Sequence, residues 1–237
     1  MNANRKIAVI VGALFVSGLI LFVLSRVLTE SILSLPDYLT MISAKGNRVL
    51  IGGLLVLVSA FTVAAIPVLL YPVFKRLNET LALGYVVARI MEAIFLAIMA
   101  IATLSVLTVG QEIAKVNVTD ASGLHILGAL WLSASHWSQL FSIIISGPHA
   151  LLFYYLLYRS MLTSRFLSVW GLIAAPMHLA GGILCILGFS LESTFATILL
   201  TPLALNELFL GIWLICKGFN ACAINSVPAI AATRLDC

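Results

Sequence analysis

Charge is what this chain has least of. Asp, Glu, Lys and Arg make up 9% of its 237 residues and hydrophobic residues 62%, whereas a soluble domain carries about 25% charged residues. The mean hydropathy of +1.15 points the same way. No stretch between the apolar runs is long enough to fold as a soluble domain, so a single membrane domain over residues 1–219, followed by a flexible cytoplasmic tail at 220–237, is expected. Cysteine is also scarce. Cys185, Cys216, Cys222 and Cys237 form no CxxC pair, which argues against a disulfide framework and a zinc site. GxSxG, HExxH, paired aspartates and a Gly-rich phosphate loop are all missing, so binding is expected rather than catalysis. No lysine falls inside an apolar run, and a retinal Schiff base is disfavoured for that reason.

What the chain does have is six apolar runs, at about 7–28, 49–74, 81–108, 136–158, 166–189 and 195–216, each close to the roughly 20 residues that cross a bilayer. The fold class expected is all-α, a polytopic six-helix membrane bundle. The first run is read as an uncleaved anchor, because it is longer than a signal-peptide core and Arg26-Val27-Leu28 offers no small-residue cleavage site. External loop 1, Thr29 to Asn47, is expected to hold a short interfacial helix started by Pro36-Asp37 and ended by Gly46. In external loop 3, Leu124 to Leu132 is too short to span and is expected to lie on the surface. Pro67 and Pro72 should kink the second span. Asn117-Val118-Thr119 matches a glycosylation sequon, a motif short enough to arise by chance.

The net charge of +4 does not suggest nucleic acid, since Lys and Arg cluster at the ends of the runs. Placing both termini in the cytoplasm puts Arg5, Lys6, Lys75, Arg76, Arg159, Arg165, Lys217 and Arg234 inside and only Arg26, Lys45, Arg48 and Lys115 outside. An offset of 84 relates Tyr71, Phe74, Lys75 and Leu83 to Tyr155, Tyr158, Arg159 and Leu167 and raises the reading of spans four and five as a parallel copy of two and three. The alternative is that two cytoplasmic turns each use aromatic and basic residues.

Ionisable groups inside spanning helices are costly and mark a site or a partner. Arg89 and Glu92 stand one turn apart in the third run, and Glu207, beside Asn206, stands in the sixth. His149 and His178 fall at comparable depth, with Tyr85 and Ser146 near them, and Ser138, Ser142, Ser146 and His149 form a polar stripe at helical spacing. Three readings follow. The first is a buried polar site on Arg89, Glu92, Glu207 and Asn206, lined by His149, His178, Tyr85 and Ser146, that binds or moves a small solute or proton, with helices broken at Pro148, Pro176 and Pro202. The second is a purely structural ion pair in an accessory or scaffold subunit that works through a membrane partner or a second copy of itself. The third, weaker because no His-x-x-His or Glu-x-x-His spacing occurs, is haem or a metal at His149 and His178; no cofactor is predicted.

Several segments also resemble the bacterial membrane family known as domain of unknown function 4386. They are LYPVFKRLNE at 70–79, LGY at 83–85 with RIMEA at 89–93, FYYLLYRS at 153–160, LSVWG at 167–171, and Glu207-Leu208 with WLI at 213–215 and KGF at 217–219. The resemblance covers about residues 5–219. It implies a six-span protein of the bacterial inner membrane whose pattern includes Arg89, Glu92 and Glu207, without an assigned activity. The chain departs from the pattern at Ser164, where proline is usual, and at Asn206, where glutamine is usual. His149 and His178 are not part of it, which weakens the haem reading further.

Overall fold

The structure is a computed structural model that describes residues 3–115, 122–191 and 193–220. The sequon at 117–119 and the tail from 221 lie outside the described residues. Six α-helices follow one another: α1 Ala3–Leu33, α2 Tyr38–Phe74, α3 Glu79–Ile113, α4 Ser122–Ser160, α5 Arg165–Ile186 and α6 Thr194–Cys216. Each is long and apolar enough to cross a membrane, and no strand occurs among the described residues. The chain is a multi-pass membrane protein, because only continuous helices satisfy their own backbone polar groups in hydrocarbon.

Every helix packs on its neighbours in sequence, and α6 packs back on α1, so the backbones form a closed ring whose interior is bridged by side chains. Glycine makes the closure. A Cβ on Gly12 would come within 2.6 Å of the Gly211 carbonyl oxygen, so the α1 and α6 backbones touch where small residues permit it. Arg5 fastens the same seam by donating from Nη2 to the Ile215 and Cys216 carbonyls, 2.9 Å each, at the C-terminus of α6, where orphan carbonyls need donors. We call this end, where α1 begins and α6 finishes, proximal, and the opposite end distal.

Turn chemistry sets the tight proximal hairpins. The Asn78 side chain accepts from the Leu81 amide at 2.9 Å and starts α3, and Ser164 does the same for α5 from Leu167 at 3.4 Å. Serine thus supplies a cap where proline would only have fixed φ.

The helices differ in reach. At 1.5 Å per residue, α5 and α6 extend roughly 33–35 Å, about one hydrocarbon thickness, whereas α3 and α4 extend roughly 50–60 Å. This revises the loops expected from sequence. The first connection is residues 34–37, not Thr29 to Asn47, and α2 begins at Tyr38. The loop 1 helix exists as its opening turns, set off from the span at Lys45 (φ −125°, ψ 17°). Residues 124–132 are helical too, but continuous with α4. Leu124 and Leu132 pack with Ile32, Leu39, Ile42 and Val106 in a distal core, and that burial carries the helices on past the spans. The fifth helix ends at Ile186 rather than Phe189. Pro67 and Pro72 sit inside α2 without leaving helical geometry, and Pro148, Pro176 and Pro202 are likewise carried within α4, α5 and α6, so these helices are not broken at their prolines.

Candidate functional site

The helix lengths place the charged residues at one level. Counted from the proximal ends, Arg89, Glu92, His149, His178 and Glu207 lie roughly 13–20 Å deep, near the middle of a bilayer. Arg89 is the hub. Its Nη1 is 2.9 Å from Glu92 Oε2, 3.5 Å from Glu207 Oε1 and 3.1 Å from His149 Nε2, so one guanidinium links α3, α4 and α6. Its Cζ also lies 5.7 Å from the Phe15 ring centre, adding α1 through a cation–π contact. Arg89 thus pairs with both carboxylates, one on its own helix and one on α6.

The two carboxylates are not equivalent. Glu92 Oε2 is held by Arg89 and, at 2.8 Å, by His149 Nε2. Glu207 has only the longer contact to Arg89, and its side chain is 20% exposed against 13% for Glu92. His149 Nδ1 is buried without a partner. His149 Nε2 stands between Glu92 Oε2 and Arg89 Nη1, and its tautomer decides whether it donates to the carboxylate or accepts from the guanidinium. One guanidinium faces two carboxylates, and Glu207 is the more weakly held of the two.

Glu207 faces a central cavity of about 160 Å³, well above the roughly 10–15 Å³ that one water requires. All six helices contribute to its wall. On α1 and α2 the wall is mostly apolar, with Leu14, Phe15, Val63 and Ile66, while Arg89, Glu92, Ser142, Ser146, His178 and Glu207 form the polar side. The hydroxyls are disposed in a common way. Ser59 donates to the Gly18 carbonyl at 3.0 Å, Thr62 to Ser59 at 2.7 Å, Ser142 to Gln139 at 2.8 Å and Ser146 to Ile143 at 2.7 Å. His178 Nδ1 lies 3.2 Å from the Leu200 carbonyl, which can only accept, so Nδ1 carries the proton. With their hydrogens on backbone oxygens, these groups have only lone pairs left for the cavity.

The residues singled out from sequence divide into three sets. Arg89, Glu92, Glu207, His178 and Ser146 line the cavity. His149 and Tyr85 stand behind it: His149 buttresses Arg89 and Glu92, and Tyr85 stacks on Phe153 at 5.1 Å with an interplanar angle of 17° and meets the His149 ring edge-on. Asn206 is a correction. Its Nδ2 donates to the Leu167 carbonyl at 3.0 Å, because adjacent helical residues point about 100° apart and Asn206 therefore faces α5 while Glu207 faces the cavity. Sequence reasoning missed Phe15, Ser59 and Thr62. Ser59-x-x-Thr62 is the signal that was there, two hydroxyls on one face of a span, one turn apart.

The haem or metal reading turns on what the imidazoles already contact. His149 Nε2 is engaged by Glu92 and Arg89, and a cation bound there would sit against the guanidinium. Among the described residues no group of three or more His, Cys, Asp or Glu could hold a metal ion.

No curated protein and no solved structure matches the chain. The family model described as Domain of unknown function (DUF4386) matches residues 10–218, and the chain, with its closed helical ring and buried Arg89 hub, belongs to that family.

Proposed function

We propose that the protein binds a small hydrogen-bond-donating monocation, or a proton, in the central cavity, with Glu207 as its charge partner. The observation that carries this reading is the cavity wall: Ser59, Thr62, Ser142, Ser146 and His178 offer it acceptors, beside a carboxylate whose contact with Arg89 is the longer of two that share one guanidinium. An isolated charge in a low-dielectric interior is expensive, and a bound cation or proton relieves it. Arg89 is held by Glu92, His149 and Glu207, so an anion would find its guanidinium engaged and the other carboxylate repulsive. The apolar wall on α1 and α2 suits a ligand with a short hydrocarbon part, such as an alkylammonium ion.

A second reading treats the hub as structural, in an accessory or scaffold subunit. It is favoured by the joining of α3, α4 and α6 through one guanidinium. Thermal unfolding of the purified protein across ammonium, methylammonium, guanidinium and alkali-metal chlorides, and across sodium salts of several anions, separates the two. The solute reading expects at least one cation to raise the midpoint saturably, by an amount equivalent to about 2.7 kcal/mol at a hundredfold excess over Kd, and Glu207→Gln to remove that response. A response to anions alone, or to no ion at all, favours the structural reading.

A further inference from the structure

A second cavity, of about 420 Å³, opens between α1 and α4 at the distal end, lined by Arg26, Glu30, Thr103, Ser135, His136 and Gln139 among others. It exists because the ring is incomplete there. Ile186 and Thr194, the distal ends of α5 and α6, lie roughly 32–33 Å above the proximal face, while α1 and α4 continue roughly 14–25 Å farther. At that height two of the ring's helices are missing, and α1 and α4 face each other across the gap.

Three features join this cavity to the central one. Phe22, Leu96 and Ser142 line the central cavity, and Arg26, Thr103 and Gln139, one to two turns farther along the same helices, line the distal one. On α4 the polar stripe is unbroken, with Ser135, Ser138, Gln139, Ser142, Ser146 and His149 all buried. Gln139 is 7% exposed, and its side-chain oxygen has no partner; it is one more acceptor, set between the two spaces. The proximal side is the opposite. Phe74, Tyr85, Phe153 and Tyr154, each 2% exposed or less, interlock with ring centres 5.0–6.1 Å apart, beneath Phe15, which packs on Phe153 at 5.6 Å. The hydroxyls of Tyr85 and Tyr154 are buried in this plug without partners.

We infer that the distal cavity is the entrance to the central one: a cation passes Gln139 and descends the α4 stripe to Glu207, while the aromatic plug closes the proximal side. The inference rests on the cation reading of Glu207 for its ligand, and on geometry alone for its direction. The plug's unpartnered phenols are the groups that would gain partners if it opened, which makes this the distal-open arrangement of a two-sided path.

The test is accessibility. In a full-length variant lacking the native cysteines, Ser146→Cys is exposed to a membrane-impermeant quaternary-ammonium thiol reagent from each side of oriented vesicles. Lys115→Cys marks the distal side, Cys216 restored alone marks the proximal side, and Leu157→Cys reports the region below the plug. Ser146→Cys should react only from the Lys115 side, Leu157→Cys from neither side, and the cationic reagent should outpace a neutral one by roughly tenfold or more because Glu207 concentrates cations. Reaction of Ser146→Cys from the Cys216 side, or from neither side while Lys115→Cys reacts, overturns the route. Should Ser146→Cys fail to fold, Thr62→Cys reports the same cavity. A wild-type cation response without distal labelling would sink the entrance and keep the site. Distal labelling without any cation response would do the reverse.

Discussion

Below Arg89 the ring is filled by Phe74, Tyr85, Phe153 and Tyr154 with Leu156, Leu157 and Leu210; above it, at the level of Arg26 and Gln139, the same ring holds a cavity of about 420 Å³. All six helices meet at the level of Arg89, whereas α1, α3 and α4 line the distal cavity. The difference lies in side-chain volume and helix length. Proximally the helices turn back within four residues, aromatic residues face inward, and glycine lets them seat: a Cβ on Gly171 would collide with the Tyr154 ring. Distally α5 and α6 stop early and Thr29, Thr103, Ser133 and Ser135 line the space, with Thr29 and Thr103 donating to carbonyls of their own helices. One end of the ring is built as packed core and the other as a lined opening, with the charge hub at the boundary.

The largest effect should come from breaking that boundary. Arg89→Met removes the guanidinium that faces both Glu92 and Glu207, and truncating one partner of a buried charge set costs about 3–5 kcal/mol. Denaturant unfolding in detergent should register a loss of that size, and a variant as stable as wild type would mean that the hub is not the organising contact. Next comes the packed end. Phe153 touches Phe15, Phe74, Tyr85 and Tyr154, so Phe153→Ala should cost about 3 kcal/mol and expose Leu157→Cys to thiol reagents from the proximal side. The lined end should be the most tolerant. Ser135→Ala removes its 3.1 Å contact with Thr103 and should cost about 0.6 kcal/mol, the usual size of an interhelical hydrogen bond in a membrane. A distal loss equal to that of Phe153→Ala would erase the contrast between the two ends.

The ring and the hub were legible to different degrees. Long apolar runs reveal spans because hydrocarbon thickness fixes their length, and the chain does form six such helices. Arg89, Glu92 and Glu207 stand out for the complementary reason, since charge in a span has few structural uses. Helix ends were less legible. The polar residues before His136 look like a loop to any hydropathy argument, yet α4 starts at Ser122, because a helix that leaves the bilayer can keep going if its neighbours bury it. Asn206 was placed in the site by its adjacency to Glu207, and helical geometry sends it to Leu167. Ser59 and Thr62 were invisible because hydroxyls bonded to backbone carbonyls are common in spanning segments, and only the ring shows which of them face its centre. The closure of α1 on α6 was not readable either, since Gly12 and Gly211 carry no mark in the sequence of the contact they permit.

The central claim is that Glu207 is a carboxylate awaiting a positive charge in an acceptor-lined cavity. Isothermal titration of methylammonium into wild type and Glu207→Gln tests it most directly. The account predicts a saturable heat in wild type that disappears in Glu207→Gln, whose neutral side chain leaves Arg89 balanced by Glu92. Equal heats in the two proteins, or a heat that appears only in Glu207→Gln, would contradict it.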